Sequence, residues 1–211
     1  MNLPMILGGL SLLALVKGVQ AASTPAIRTI YLLGDSNTAA PDYRNGTQET
    51  SWLAKALQRR TKAKVYAGAR GGWGVKDVRE KYVPEIRKLN PDVVVAWLGV
   101  NDLSSQRSVD HIVSEMKLLK DQIAPTRLVI LEIHDWGGYS RGRDKIELTD
   151  RANYRLRTEV GVPTIRTDSL GTNGIMKPEY DQGDGLHFER PSKSVAYDVI
   201  GELIIDGLMS L

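Results

Sequence analysis

The chain contains no cysteine and only three histidines among its 211 residues. The absence of cysteine excludes disulfide bonds, thiolate metal sites and a cysteine nucleophile. It indicates no compartment, since many exported proteins also lack cysteine. Low-complexity stretches and internal repeats are missing as well. The histidines are His111, His134 and His187, and imidazole can accept and return a proton near neutral pH.

An excess of charge of either sign is also absent. The 28 basic residues nearly balance the 25 acidic residues, and the basic residues are scattered along the chain. This distribution predicts no nucleic-acid binding. A composition that is 42% hydrophobic and 25% charged is typical of a soluble globular protein. The length suits one domain, which we assign to residues 23–211.

An apolar leader is predicted for residues 1–22. Residues 3–16 are apolar or small except for Ser11, and Lys17 follows them. Small residues at Val19 and Ala21 suit cleavage after Ala21, although no Lys or Arg precedes the apolar run. Three interpretations remain open: a cleaved signal peptide, a retained membrane anchor of roughly 20 residues, or a buried N-terminal helix. The first two predict an exported or membrane-anchored protein.

Predicted strands and helices alternate after the leader. The predicted strands are residues 27–33, 64–67, 92–98, 128–133 and 162–166, and the predicted helices are residues 51–60, 75–89, 109–123, 148–160 and 191–211. Pro84 lies inside the second helix, where it could kink or split it. Such alternation predicts an α/β fold with a parallel sheet flanked by helices.

Polar and glycine-rich segments follow four of these strands. They are residues 34–37, 68–74, 99–102 and, before the last helix, 184–187. In parallel α/β sheets, ligands bind beyond the carboxyl ends of the strands. We therefore expect the four segments to meet at one edge of the sheet.

These segments resemble, in order, the four sequence blocks of SGNH hydrolases, also called GDSL esterases. The matching residues are Gly34, Asp35 and Ser36, then Gly71, then Gly99 and Asn101, then Asp184 and His187. Asn37 stands where the leucine of the family's name is often found. The resemblance extends from residue 27 to the final helix. It implies a single-domain, three-layer α/β/α fold with a flavodoxin-like parallel sheet of about five strands.

The chemistry of the residue types suits a serine hydrolase. A hydroxyl such as that of Ser36 needs a neighbouring base to become nucleophilic, and the imidazole of His187 can accept and return a proton near neutral pH. Asp184 can orient the imidazole and stabilise its cationic form. No Gly-x-Ser-x-Gly motif is present, so the α/β-hydrolase fold is set aside.

The family resemblance also implies an oxyanion hole and no cofactor or metal. Its donors would be the backbone N–H groups of Ser36 and Gly71 and the side-chain amide of Asn101. Asp35 is interpreted as a structural turn or cap residue.

Further substrate contacts are predicted at Trp73, His134 and Trp136, with core packing as the alternative. Basic side chains between residues 141 and 145 form either a solvated loop or a contact with an anionic substrate.

The sequence thus predicts a serine esterase that acts through an acyl-Ser36 intermediate on an acetylated cell-surface glycan. Two alternatives remain. One is a lipid esterase or lysophospholipase of the same fold. The other is a structural or glycan-binding component of a larger assembly, such as a cell-surface complex or a virion. The oligomeric state is not predicted.

Overall fold

The computed structural model describes residues 27–211, so the predicted leader lies outside the described residues. No helix within that part of the chain combines the length and apolar character needed to cross a bilayer.

A five-stranded parallel sheet forms the centre of the molecule. Its strands are β1 (Thr29–Gly34), β2 (Lys64–Ala69), β3 (Val93–Trp97), β4 (Arg127–Leu131) and β5 (Thr164–Ile165), in the spatial order β2-β1-β3-β4-β5. All five residues of β3 are buried, as its unbroken apolar sequence predicts for a strand that is covered on both faces. The predicted α/β fold is confirmed.

Seven helices accompany the strands in the described chain. They are α1 (Ser36–Ala39), α2 (Trp52–Arg60), α3 (Val75–Leu89), α4 (Val100–Ser104), α5 (Val109–Ile123), α6 (Ile146–Glu159) and α7 (Ala196–Met209). Side chains alternate along each strand: Tyr31 and Leu33 face α3, α5 and α6, whereas Ile30 and Leu32 face α2 and α7. The result is a three-layer α/β/α structure with one apolar core on each face of the sheet.

Helix α2 begins where its sequence supplies a cap, and the same residue connects it to α1. The hydroxyl of Ser51 accepts a hydrogen bond from the N–H of Ala54 and donates one, 2.7 Å long, to the carbonyl of Thr38. Leu53 and Leu57 then face the core. This connection fixes α1, the helix that begins with Ser36, against a well-packed neighbour.

Several helices and strands differ in detail from the predictions. Helix α3 is not interrupted by Pro84, because that residue lies on the exposed side, where water can solvate the carbonyl that loses its N–H partner. Strand β2 continues through residues 68 and 69, so the glycine-rich loop begins at Arg70. A Cβ atom at Gly68 would overlap the hydroxyl of Tyr31, which explains a glycine inside this strand. Helix α7 begins at Ala196, five residues later than predicted.

A small hairpin, not predicted from the sequence, lies outside the main sheet. Strands β6 (Gly171–Thr172) and β7 (Ile175–Met176) pair antiparallel outside the main sheet. We predicted that residues 184–187 directly follow the last strand of the main sheet. In the structure this segment comes after the hairpin.

Candidate active site

The four predicted segments converge at the carboxyl edge of the sheet. Ser36 begins α1 directly after β1, Gly71 lies between β2 and α3, and Asn101 lies in α4 after β3. The segment that carries Asp184 and His187 is brought to the same edge, since the side chain of His187 contacts that of Ser36.

Ser36, His187 and Asp184 form a continuous chain of hydrogen bonds. The Oγ atom of Ser36 lies 3.0 Å from Nε2 of His187, and Nδ1 of His187 lies 2.7 Å from a carboxylate oxygen of Asp184. With the Nδ1 proton directed at the carboxylate, Nε2 is left to accept the serine proton. The arrangement has the geometry of a nucleophile, a general base and a group that orients the base.

The position of Ser36 follows from a tight exit at the end of β1. Gly34 has ordinary backbone angles, but a Cβ atom there would overlap the Thr38 hydroxyl, so glycine is required by space and not by a left-handed turn. Asp35 is the N-cap of α1 and accepts a 3.1 Å hydrogen bond from the N–H of Asn37. Burial raises the pKa of the Asp35 carboxyl to about 7, although the bond from Asn37 acts in the opposite direction.

Asp184 and His187 lie together on one looped segment, residues 180–189, which we call the catalytic loop. One carboxylate oxygen of Asp181 accepts hydrogen bonds from the N–H groups of Gly183, Asp184 and Gly185. Across the loop, the N–H of Gln182 donates to the carbonyl of His187 over 3.0 Å. Sequence reasoning missed Asp181, whose role is visible only in its backbone contacts.

Asp184 is held as an anion. Its partial burial raises the pKa, but hydrogen bonds from the His187 ring and from the N–H groups of His187 and Leu186 lower it more strongly, to about 2. A permanent negative charge beside Nδ1 stabilises the imidazolium that forms when His187 takes a proton.

A family model described as GDSL-like Lipase/Acylhydrolase matches residues 32–190 and includes all the residues of this hydrogen-bonded chain. The protein belongs to the GDSL-like lipase/acylhydrolase family. It is therefore a carboxylic ester hydrolase of the SGNH/GDSL type, as the sequence predicted.

Solved structures of other GDSL-type proteins share this fold. A lipase/acylhydrolase from Enterococcus faecalis is 23% identical, with a TM-score of 0.68, and 86% of this chain and 95% of that chain are covered. A psychrotrophic esterase from Pseudoalteromonas sp. is 18% identical, with a TM-score of 0.67 and coverage of 87% and 97%. An acetylxylan esterase from Geobacillus stearothermophilus is 14% identical, with a TM-score of 0.64 and coverage of 86% and 94%. Comparison with curated proteins found no match.

The expected oxyanion donors of this GDSL hydrolase lie on segments that follow β1, β2 and β3. A Cβ atom at Gly71 would lie 3.4 Å from that of Ser36, so the backbone approaches the nucleophile closely. The N–H of Gly71, however, already donates a 2.6 Å hydrogen bond to the carbonyl of Tyr43. Asn101 uses one of its two amide N–H donors on the carbonyl of Trp73, over 3.0 Å, which fixes the plane of the amide. Gly71 can therefore bind an oxyanion only after the Tyr43 carbonyl moves away.

Asp102 connects these two donor segments. It is fully buried, and its two oxygens accept hydrogen bonds from the N–H of Val75, over 2.9 Å, and from Arg107, over 3.1 Å. The contact with Val75 ties α4, which carries Asn101, to the start of α3.

Two of the three predicted substrate contacts do not fit the structure. His134 and Trp136 are each 1% exposed and hydrogen-bond inside the core, His134 to the carbonyl of Leu186 and Trp136 to the hydroxyl of Thr149. Both residues follow β4, but their rings point inward. Trp73 is half-buried at the rim, with the guanidinium of Arg70 4.7 Å from its ring centre.

Within residues 27–211, no group of three or more histidine and acidic side chains is placed to hold a metal ion. At the sheet edge, the candidate site brings together one hydroxyl, one imidazole, one carboxylate and amide donors.

Proposed function

We propose that this GDSL hydrolase is a carbohydrate O-acetyl esterase that acts through an acetyl-Ser36 intermediate. The observation that carries the proposal is the mixed polar and apolar lining of the space beside the triad of Ser36, His187 and Asp184. A cavity of about 540 Å³ adjoins Asp184 and is lined by Gly138, Tyr139, Ser140 and Arg143. A hydroxyl, a phenol ring and a guanidinium suit a sugar, which offers hydroxyl groups and apolar C–H faces.

Another cavity is more strongly apolar and lies far from the triad. Its volume is about 520 Å³, and its apolar lining includes Ile27, Ile30, Ile205 and Leu208. These residues surround the amino ends of the parallel strands, whereas Ser36 lies at the carboxyl ends. The strongly apolar cavity therefore lies away from Ser36, and this favours an acetyl group over a long acyl chain.

The fold likeness to an acetylxylan esterase agrees with this proposal without deciding it. At 14% identity, such a likeness concerns the fold, and the substrate must be tested directly.

The reaction follows from the order of the hydrogen bonds. Oγ of Ser36 attacks the ester carbonyl carbon while its proton passes to Nε2 of His187. The negative charge on the carbonyl oxygen is stabilised by the side-chain amide of Asn101 and the backbone N–H of Ser36. The N–H of Gly71 joins them once the Tyr43 carbonyl has moved away. When the tetrahedral intermediate collapses, the sugar hydroxyl leaves with the proton from His187. Water then repeats the sequence on acetyl-Ser36 and releases acetate.

A substrate series tests the proposal. Acetylated oligosaccharides and p-nitrophenyl esters of increasing acyl length are compared for kcat/KM, with Ser36→Ala as the inactive variant and Ser210→Ala as the matched serine control. We expect acetate esters to react fastest and Ser36→Ala to lose at least about 10⁴-fold of kcat. Faster hydrolysis of long-chain lipid esters would overturn the acetyl assignment. Glycan binding with no hydrolysis would favour a binding component instead.

We further propose that the enzyme acts outside the cell or at its surface, on the basis of the apolar sequence at residues 1–22. The intact mass of the native protein distinguishes a cleaved segment from a retained one, and cell fractionation tests the location. Finding an uncleaved chain in the cytosol would contradict the proposal.

A further inference from the structure

The backbone on both sides of His187 is held by side chains that lie outside the triad. The carbonyl of Leu186 accepts two hydrogen bonds, one from Nδ2 of Asn37 over 3.3 Å and one from Nε2 of His134 over 3.0 Å. The N–H of Phe188 donates to Oδ1 of Asn37 over 3.4 Å. The carboxamide of Asn37 therefore contacts the residue before His187 and the residue after it.

These contacts are buried, so water does not compete for them. Asn37 and His134 are each 1% exposed, and Phe188 is fully buried. The ring of His134 packs against Phe188 and Trp97, with ring centres 5.0 Å and 5.3 Å away, which restricts its rotation. Phe188, the only phenylalanine of the chain, thus fills the space directly behind the catalytic loop.

The hydrogen bond to Leu186 fixes the tautomer of His134. The carbonyl of Leu186 can only accept a hydrogen bond, so Nε2 carries the proton. Nδ1 is buried and has no hydrogen-bond partner within residues 27–211. Burial lowers the pKa of His134 to about 4, so the ring is neutral near neutral pH. A neutral, fixed imidazole suits a structural donor and not a second base.

We propose that Asn37 and His134 are positioning residues, which clamp the Leu186 carbonyl and so hold Nε2 of His187 within reach of the Ser36 hydroxyl. This inference rests on the proposed role of Ser36 and His187. Asn37 adjoins Ser36 in α1. The same short helix therefore carries the nucleophile and forms hydrogen bonds to the backbone on both sides of His187. The clamp therefore fixes one half of the site relative to the other.

The residue at position 37 acquires a function that its place in the sequence did not indicate. A leucine there, as in the family's name, could fill similar space but could form neither hydrogen bond. In this chain the carboxamide of Asn37 donates to the carbonyl of Leu186 and accepts from the N–H of Phe188.

The first test separates positioning from stability. Asn37→Leu and His134→Phe remove the donors while they keep the volume, and His134→Gln offers an amide N–H in place of the ring N–H. We expect the first two to lower kcat for p-nitrophenyl acetate by about 10–100-fold, with KM changed by less than about twofold. His134→Gln should recover part of the loss.

Thr149→Val is the matched control, because it removes a buried hydrogen bond to Trp136 without touching the catalytic loop. It should lower Tm and leave kcat within about twofold of the wild type. The clamp is rejected if Asn37→Leu and His134→Phe behave as this control does, with a lower Tm and an unchanged kcat.

The second test does not require catalysis, so it separates failure of the clamp from failure of the proposed function. The proton on Nδ1 of His187, shared with Asp184, should give a low-field proton NMR signal in the wild type. We expect the signal to broaden or disappear in Asn37→Leu at a temperature where circular dichroism shows a folded protein. An unchanged signal in that variant would overturn the clamp, whatever the enzyme hydrolyses.

Discussion

The two halves of the active site are built in different ways. Ser36 lies in a helix whose four residues are all buried, and backbone hydrogen bonds of 2.8 Å and 2.9 Å close the turn around it. The side chains of Asp184 and His187 are 37% and 22% exposed and lie on a loop that is shaped by its own polar groups. The nucleophile is therefore positioned by core packing, whereas the base depends on a few directed hydrogen bonds. Substitutions in the two halves should affect stability and turnover in different proportions.

The largest effect is expected from Asp184→Asn, on the side of the base. The amide would present an N–H to Nδ1 of His187 and favour the tautomer in which Nε2 cannot accept the serine proton. We expect kcat to fall by about 10⁴-fold with little change in Tm. Asp181→Asn is the matched control, since its amide oxygen can still accept the loop N–H groups. Equal losses in the two variants would show that loop shape, and not the tautomer of His187, limits the reaction.

Asn101→Ala should give the next largest effect, on the side of the nucleophile. It removes the side-chain amide that we propose as a donor to the developing oxyanion, and we expect a loss in kcat of about 10²–10³-fold. Asn90→Gly, at the left-handed end of α3, serves as a distant control. If kcat for p-nitrophenyl acetate stayed within about twofold of the wild type, Asn101 would not be an oxyanion donor.

Local sequence patterns predicted some features of the two halves of the site, and contacts between distant parts of the chain determine the others. The parallel sheet and the residues at its carboxyl edge were predicted because strand–helix alternation and strand-end positions are local patterns. The sequence motifs predicted Ser36, Asp184 and His187 as catalytic residues. The structure shows that their side chains form one hydrogen-bonded chain. The roles of Asn37, Asp102 and Asp181 were not predicted, since each depends on contacts with backbone groups that no short spacing encodes.

The inward orientation of His134 and Trp136 was also missed. Both follow a strand that ends at the catalytic edge, and position along the chain does not tell on which side of the backbone a ring packs once the strand has ended. The hydrogen bond that occupies the N–H of Gly71 could not be predicted either, because its acceptor is the carbonyl of Tyr43 on a separate loop.

A smaller effect is expected from Gly185→Ala in the loop of the base. Gly185 has a φ of +74°, and a Cβ atom there would overlap the backbone of Gly138 and Tyr139. Gly183 has a φ of +109° but open space around it, so Gly183→Ala carries the backbone strain without the clash. We expect kcat to fall by about 10-fold or more in Gly185→Ala and much less in Gly183→Ala. Matching kcat values in the two variants would mean that the contact with residues 138–139 does not hold the loop.

The smallest effect is expected from Asp35→Asn, which probes the buried half through the pH dependence of stability. Because burial raises the pKa of Asp35 in the folded state from 3.8 to about 7, the folded protein keeps a proton that the unfolded chain releases. Stability is therefore lost as the pH rises from about 4 to about 7. The carboxamide introduced by the substitution is uncharged at every pH, and its oxygen can still accept the bond from Asn37. The Tm of the variant relative to the wild type should be higher at about pH 8 than at about pH 5, whereas a difference independent of pH would contradict the buried charge.

The most direct measurement of the central claim is covalent labelling of the nucleophile. The wild type and His187→Ala are treated with a fluorophosphonate, and the modified peptide is identified by mass spectrometry. We expect one adduct, on Ser36, formed in the wild type and strongly slowed in His187→Ala, because only a serine that hydrogen-bonds to a base is activated for attack. An adduct on another residue, or equal labelling of Ser36 in the two proteins, would contradict the account.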